Sequence, residues 1–586
     1  MDEPSKPTLI KEAVFLTKST LLKVQRSIQD TRFPTPSHSQ TEGSDYLFSI
    51  AESITPLWVD ETLSERSLQL GKVHNLRIAT RHLQHIEVRA GSVFSFWNQI
   101  GRATRRRGYV DGRQISEGCL VPAIGGGLCQ LSNALYDVAL KMGADIVERH
   151  PHTRVVPGSV AEQGRDATVY WNYLDLRFRP QKDIVLHAEL TADSLIVRVS
   201  SREAPPQKVN ATALIQLTSP PRKTIDVAAH SCQSCGRTSC FRHKTTLPST
   251  LYNENEVRRT AFLLEESWAE FEEYVQSLYQ KHDIVCLPLD GRRWKRPHYV
   301  WSLPEYTEIH TATLETLRRA YQVRALAEQG AERQTALLTG SKALAKAYAR
   351  SLTPDITHLC IALPLLPFLW HEGHLGGRTF DVLMTRRSLT ELHTDLDAAL
   401  KRFPERTTLG DFRSPFWLQS AEALALSAAR QWVTPHRFLV NRSPHRTLPL
   451  EWRLPNATPS PSTGKTILFP GPTVARKGAF EVREAVKRGG WKLRTLGRDL
   501  EGEDFWEGIL VTRASCADSF WQDIGCVVQP ALIEDKPRIL LEAMARGIPV
   551  IATHECGLPS SNGWYPVEFG DSEMLYEALR EVLSLD

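Results

Sequence analysis

Apolar residues recur along this chain at two spacings, and the spacing changes from segment to segment. From Ile10 to Ile28 they fall on one face of a 3.6-residue repeat, which predicts a helix. The polar run RFPTPSHSQTEGSD then reads as a linker ending near residue 44. In LQHIEVRAGSVFSF and DSLIVRVSS apolar and polar positions alternate, the pattern of half-buried strands, while Ser132–Met142 returns to helical spacing. Residues 45–203 therefore read as an α+β unit. From 255 to 460 helical patterns are interrupted by short apolar strands: HDIVCLPL (282–289), THLCIAL (357–363) and FDVLMTR (380–386). ITHLCIALPLLPFLW (356–370) predicts a buried strand followed by a turn, because Pro364 and Pro367 interrupt it. After the linker LPNATPSPSTGK (454–465), strands KTILFPG, KLRTLG, GILVTR, GCVVQP and PVIAT alternate with helices predicted at Ala479–Arg488, Arg538–Arg546 and Ser572–Leu583. Strands alternating with helices imply parallel sheets. The fold class is α/β overall: an α+β unit at 45–203, a small Cys-rich connector at 204–254, and two doubly wound α/β domains at 255–460 and 465–586.

Composition adds little to this picture. A chain of 586 residues exceeds one ordinary core, so three or four structural units are expected. The net charge of +4 gives no electrostatic case for a nucleic-acid partner. Nowhere do about 18 apolar residues run together, so no transmembrane helix is expected. The first residues, MDEPSKPTLIK, lack the apolar core of a secretory signal, and a cytoplasmic protein is expected, with peripheral membrane contact left open. Of ten cysteines seven are scattered, which is not a disulfide framework.

The chemistry-bearing text begins with Gly125, Gly126 and Gly127, which run into Cys129 at the start of a helical pattern. His150, His152 and Asp166 follow within forty residues. A thiol in the first turn of a helix feels the positive end of its dipole, which favours thiolate. A histidine with an acid behind it is what a cysteine nucleophile needs. The same residues also fit a buried cysteine packing the start of a core helix. This stretch resembles the VanW family in Phe94, Ser95, Phe96, Gly101, Gly108 and Tyr109, in Gly125–Gly127, Cys129, Gln130 and Ser132, and in Glu148, Arg149, His152, Asp166, Ala167 and Asp175. The resemblance covers roughly residues 45–200 and implies a domain rather than a reaction.

The last 120 residues or so carry a second pattern. In IEDKPRILLEAMARGIPVIAT, Glu534 and Glu542 are separated by seven residues, and ARKGAF sets Arg476 and Lys477 after the first strand, where a helix begins. A diphosphate suits a basic side chain beside helix amides, and a ribose diol suits a carboxylate. At a rise of ~1.5 Å per residue the two Glu lie about 12 Å apart, the span from ribose to sugar in a nucleotide-sugar. This text resembles the C-terminal half of group 1 glycosyltransferases, which implies a GT-B arrangement of the two α/β domains. The resemblance assigns Glu534 to the donor sugar, Glu542 to the ribose, and Lys477, with Arg476 beside it, to the diphosphate. It implies a nucleotide-sugar donor, a glycan, lipid-linked or small-molecule acceptor, and retention at the anomeric carbon. One departure stands out: Asp535, Lys536 and Pro537 occupy positions where that family places glycines, and Pro537 has no N–H to offer. In the preceding domain His371, Glu372 and His374, and separately His436, are candidates for assisting the acceptor.

Cys232, Cys235, Cys240 and His243 have the spacing C-x2-C-x4-C-x2-H, which suits a closed, structural tetrahedral Zn²⁺ site. Three functions are thus expected to compete: a VanW-like domain fused to an envelope or glycoconjugate glycosyltransferase, a non-catalytic binder of glycans or nucleotide-sugars, and a Cys129-dependent amidase or acyltransferase. The zinc expectation has a direct check. Elemental analysis of the purified protein should find close to one tightly held Zn²⁺ per chain, reduced by Cys235→Ser; metal-free wild-type protein would refute the site.

Overall fold

The computed structural model describes residues 9–32, 35–41, 48–58, 63–116, 119–152, 154–155, 164–203, 223–224, 259–304, 307–326, 330–458, 464–514, 518–560 and 563–584. The four proposed zinc ligands lie outside them. The chain divides into two compact units. One comprises Met1–Arg259 with Thr353–Thr357 and Glu372–Thr379; the other comprises Thr260–Leu352, His358–His371 and Phe380–Asp586.

The first unit contains, in order, α1 (Leu9–Arg32), β1 (Phe48–Pro56), α2 (Leu63–Thr80), β2 (Ile86–Val88), β3 (Phe94–Ser95), α3 (Phe96–Ile100), β4 (Asp111–Ser116), β5 (Cys119–Ile124), α4 (Leu128–Lys141), β6 (Asp145–Glu148), β7 (Arg154–Val155), β8 (Arg177–Arg179), β9 (Ile184–Leu190), β10 (Ser194–Ser201) and β11 (Lys223–Thr224). An antiparallel sheet of order β1-β10-β9-β2 forms its floor. Leu195, Val197 and Val199 of β10 alternate into the core, as the period-2 pattern requires. Helices α2 and α4 cover that face. Leu128, Leu131, Ala134, Leu135, Val138 and Ala139 of α4 are buried at i, i+3, i+4 spacing. The expected strand through LQHIEVRAGSVFSF is two short strands, β2 and β3, broken by a turn with Gly91 at φ +74°.

The glycine triplet links the β4–β5 hairpin to α4 and is built for close packing. Gly125 and Gly127 hold φ values of +76° and +99°, which other residues adopt only with strain. Gly126 lies so close to β4 that a Cβ there would stand 2.2 Å from the Gly112 carbonyl oxygen. The buried Asn75 of α2 fastens this contact: Nδ2 donates to the Gly126 carbonyl at 2.9 Å and to the Val110 carbonyl at 3.0 Å, and Oδ1 accepts from the Val110 amide at 2.9 Å.

The second unit carries two parallel α/β sheets. The first is formed by β12 (Arg259–Leu263), β13 (Ile284–Leu287), β14 (Glu308–Thr311), β15 (Ile356–Ala362), β16 (Thr379–Leu383), β17 (Gln431–Thr434) and β18 (Thr447–Pro449), in the order β14-β13-β12-β15-β16-β17-β18. The second is formed by β19 (Thr466–Phe469), β20 (Lys492–Thr495), β21 (Val511–Arg513), β22 (Ile524–Gln529), β23 (Val550–Ala552) and β24 (Trp564–Pro566), in the order β21-β20-β19-β22-β23-β24. Each begins in the middle, builds to one edge, returns, and builds to the other, the doubly wound topology. The helices expected in the last domain are present at Ala479–Gly489, Arg538–Arg546 and Ser572–Leu583. The segment after β15 corrects the expected turn: Leu363–Leu365 is a 3₁₀ turn and Leu366–His371 a short helix, with Pro364 and Pro367 in their opening turns, where a missing N–H costs nothing.

Gly126→Ala should lower unfolding stability of the first unit by about 1–3 kcal/mol through overpacking, read as a shift in its urea midpoint. Wild-type stability in that variant would mean that the turn relaxes freely.

Candidate active sites

In the first unit the fold brings Cys129, His152 and Asp166 together. Cys129 sits in the first turn of α4, half-buried, on the wall of a cavity of about 600 Å³. The same face of α4, one and two turns on from Cys129, anchors the segment that delivers Asp166. Asn133 Oδ1 accepts from the Ala167 amide at 2.8 Å, Ser132 Oγ donates to the Ala167 carbonyl at 2.6 Å, and Arg165 pairs with Asp137 at 2.9 Å. These bonds explain why Ser132, Asn133 and Asp137 are buried polar residues on a core helix.

The Asp166 side chain is fully buried and accepts three hydrogen bonds: from Arg149 Nη2 at 2.8 Å, the His152 amide at 2.6 Å and His152 Nδ1 at 2.9 Å. With Nδ1 committed to the carboxylate, Nε2 is the ring nitrogen left for the thiol. Burial alone would depress the His152 pKa, but its bonds to Asp166 and Cys129 outweigh it and raise the pKa to about 9. Burial alone would raise the Cys129 thiol; the hydrogen bond and charge of His152 bring it below its ordinary value. Both directions favour a thiolate–imidazolium pair at neutral pH. Other thiols behave oppositely: burial pushes Cys286, Cys526 and Cys556 up to about 12, and raises Cys360 well above its usual range.

His150, the other candidate, turns to Glu148 at 3.0 Å. Glu148 also accepts from Arg26 and from the Asp175 amide, while Asp175 binds Ser95 Oγ at 2.6 Å and Arg177 Nε at 2.8 Å. Much of the motif-bearing text is thus a polar frame behind the site. Sequence reasoning gave no role to Arg149 or to the aromatic wall of Trp97, Tyr170 and Trp171. Arg149 stood within the VanW resemblance, so its signal was present; Trp97 reaches the cavity from α3, and Tyr170 and Trp171 from the turn before β8.

In the second unit Lys477 and Glu534 meet. Lys477 follows β19 and Glu534 follows β22, adjacent strands whose connections leave in opposite directions. Lys477 Nζ donates to Glu534 Oε2 at 3.0 Å and to the Ile533 carbonyl at 2.8 Å, and Gln529 Nε2 donates to Glu534 Oε2 at 2.8 Å. The Arg476 guanidinium lies near Asp411, Glu501, Asp535 and Glu534; burial lowers its pKa against their attraction. Glu542 pairs instead with Arg546 on the same helix, at 2.7 Å. His436 is buried and its Nε2 donates to the Glu534 carbonyl at 2.9 Å, so of the candidate histidines it is the one bonded to the Glu534 segment. His374 bonds Arg81 through Nδ1 at 2.8 Å, and burial with the neighbouring Arg81, Arg378 and Arg77 lowers its pKa to about 3. His371 packs its ring against Trp417.

The non-glycine segment Asp535–Arg538 is held by side chains of the preceding domain. Arg538 makes a two-pronged pair with the buried Glu270 at 2.9 and 2.8 Å, between Trp268 and Trp452, and Lys536 pairs with Glu266 at 2.6 Å. Among the described residues no group of three or more His, Cys, Asp or Glu could hold a metal ion, and no helix is long and apolar enough to cross a membrane.

Residues 71–200 match the family described as VanW like protein, and the chain carries a VanW domain. It is similar to vancomycin B-type resistance protein VanW of Enterococcus faecalis, 31% identical over 166 residues, which are 28% of this chain and 60% of that protein. It is also similar to the uncharacterized protein YoaR of Bacillus subtilis, 35% identical over 132 residues, 22% of this chain and 43% of YoaR. The chain thus spans less than two thirds of either relative. Among solved structures, the lipopolysaccharide outer core galactosyltransferase WaaB overlaps 56% of this chain and 90% of its own at 15% identity and a TM-score of 0.32. Anabaena HepE with UDP and glucose overlaps 56% and 90% at 13% identity and a TM-score of 0.34.

Iodoacetamide near neutral pH should alkylate Cys129 first, at least about tenfold faster than Cys286, Cys360, Cys526 or Cys556, because thiolate is the nucleophile. His152→Ala should move the inflection of the rate–pH curve upward, and Asp166→Asn should do so less. Cys129 inert up to pH 9 in folded protein, read by peptide mass mapping, would retire the thiolate pair.

Proposed function

We propose that the VanW domain is a cysteine-nucleophile site that cleaves or transfers an acyl group from an amide or ester. The observation that carries this is the buried Asp166 carboxylate orienting His152 against a thiol of lowered pKa beside an open cavity. The Cys129 thiolate attacks the carbonyl carbon and forms the C–S bond while the carbonyl oxygen takes the electron pair. That oxyanion develops at the first turn of α4, where the opening amides of a helix lack intrahelical acceptors. Collapse breaks the C–N or C–O bond, and His152 Nε2 gives its proton to the leaving group. Water or an acceptor hydroxyl or amine, deprotonated by neutral His152, then attacks the thioester and releases the thiolate. With His152 raised to about 9, the proton donor is lost as pH rises through about 9, so the acylation rate should fall there.

The test is a p-nitrophenyl ester with purified full-length protein. An acyl adduct on Cys129 and a nitrophenol burst are expected, abolished by Cys129→Ala and slowed about 10²–10⁴-fold by His152→Ala. A burst unchanged in Cys129→Ala would overturn the assignment.

A second activity, sugar transfer from a nucleotide-sugar, is favoured by Lys477 and Glu534 at the strand-order reversal, the place where doubly wound sheets bind ligands. In this reading Lys477 and Arg476 meet the diphosphate, Glu534 faces the sugar and Glu542, released from Arg546, meets the ribose; acceptors are glycan, lipid-linked or small molecules. Lys477→Ala should weaken a nucleoside diphosphate by about 1.5–3 kcal/mol, the scale of a charge-assisted hydrogen bond, and the bare nucleoside less. Equal losses by calorimetry would make Lys477 structural. Donor binding without nucleotide release would favour the non-catalytic alternative, as the side-chain ties at Asp535–Arg538 do. The cluster Cys232, Cys235, Cys240 and His243 is proposed to hold structural Zn²⁺ in the connector.

A further inference from the structure

Apart from the Cys129–His152 pair itself, the described charged side chains lining the cavity beside Cys129 are all cationic. Lys23 from α1, Lys72 from α2, Arg102 after α3 and Arg113 from β4 all line it, and among its described lining residues there is no Asp or Glu. Four separate segments therefore deliver cations to one cavity, which is not the accident of a single basic helix face. Asp166 is the acid nearest the reacting thiol, and it is sealed behind His152 and bonded to Arg149. Lys72 is buried, packs where a Cβ on Gly127 would strike it, and donates to the Leu57 carbonyl at 2.5 Å. Burial, with Arg113 adding charge of the same sign, lowers its pKa to about 7. Trp97, Tyr170 and Trp171 also line the cavity, with Trp97 and Trp171 edge to face at 5.5 Å, so it offers an apolar surface beside its cations.

We infer that this cavity selects an anionic acyl substrate, one whose scissile carbonyl lies at Cys129 and whose carboxylate or phosphate lies against Lys72 and Arg113. The inference rests on Cys129 being the nucleophile and adds the charge class of its substrate. An arginine fork matches either anion, so the two share their chemistry here. A bound anion also restores the Lys72 charge, so binding takes up a proton near neutral pH and weakens as pH rises above 7.

Two alkylating agents of near-identical shape test this on the intact chain: iodoacetate, an anion, and iodoacetamide, neutral. The ratio of their rates at Cys129, divided by the same ratio for N-acetylcysteine, isolates the field of the cavity from thiol reactivity. At low ionic strength it should exceed one by about tenfold or more, the concentrating effect of a cationic cleft on an anion, and fall with added salt. Arg113→Gln with Arg102→Gln should return the normalised ratio toward one. A normalised ratio of one or less in wild-type protein overturns the anionic preference and leaves the thiolate assignment standing; inertness to both reagents overturns the two together. The wild-type ratio decides even if the double variant fails to fold. Acetate and inorganic phosphate at matched ionic strength separate the two anions: the one that slows iodoacetamide more is the class recognised. Slowing by neither, compared with chloride, would count against the site.

Discussion

The buried carboxylate of Asp166 is the constraint on which the first unit's chemistry depends. A fully buried carboxylate is tolerated only when its lone pairs are filled, and here three donors from Arg149 and His152 fill them. The arrangement fixes more than charge. It sets the ring plane and tautomer of His152, and through Nε2 it sets the state of Cys129. The Ala167 backbone and the Arg165 side chain are in turn bound to α4 at Ser132, Asn133 and Asp137, so nucleophile and acid are held by one face of one helix.

Behind this lies a second rigid contact. Asn75 pins the Gly125–Gly127 turn to the β4 strand, and the close approach of Gly126 to Gly112 leaves no room for a side chain between them. The helix start that carries Cys129 is thereby fixed at both ends: by the glycine turn before it and by the Asp166 segment along it. The glycine triplet packs backbone on backbone, and its three residues also line the cavity.

The second unit places its polar groups by topology rather than by a buried acid. Two doubly wound sheets each reverse strand order once, and in the C-terminal sheet Lys477 and Glu534 fall on either side of that reversal. The segment after Glu534 is then tied by Asp535, Lys536 and Arg538 to residues of the preceding domain. Those ties are made by the side chains of Asp535, Lys536 and Arg538, and they fix the backbone that follows Glu534.

The sequence by itself determined the element pattern of the C-terminal half, because buried parallel strands and amphipathic helices write their periods directly into the chain: three helices there begin at the expected residues, Ala479, Arg538 and Ser572. Short or edge strands such as β14, β18 and β24 were not legible, since three or four residues carry too little periodicity to separate a strand from a loop. In the first unit the sequence named Cys129, His152 and Asp166, preferring His152 to His150 through the VanW resemblance; the fold supplies the geometry, bonding His152 to Asp166 and turning His150 to Glu148. Tertiary structure alone brought Lys23, Lys72, Arg102 and Arg113 to one cavity, because each reads locally as a solvated charge on its own element. It alone paired Glu542 with Arg546 and Arg538 with Glu270, because the partner of an ionic side chain is chosen by distance in space, which spacing along a chain does not encode.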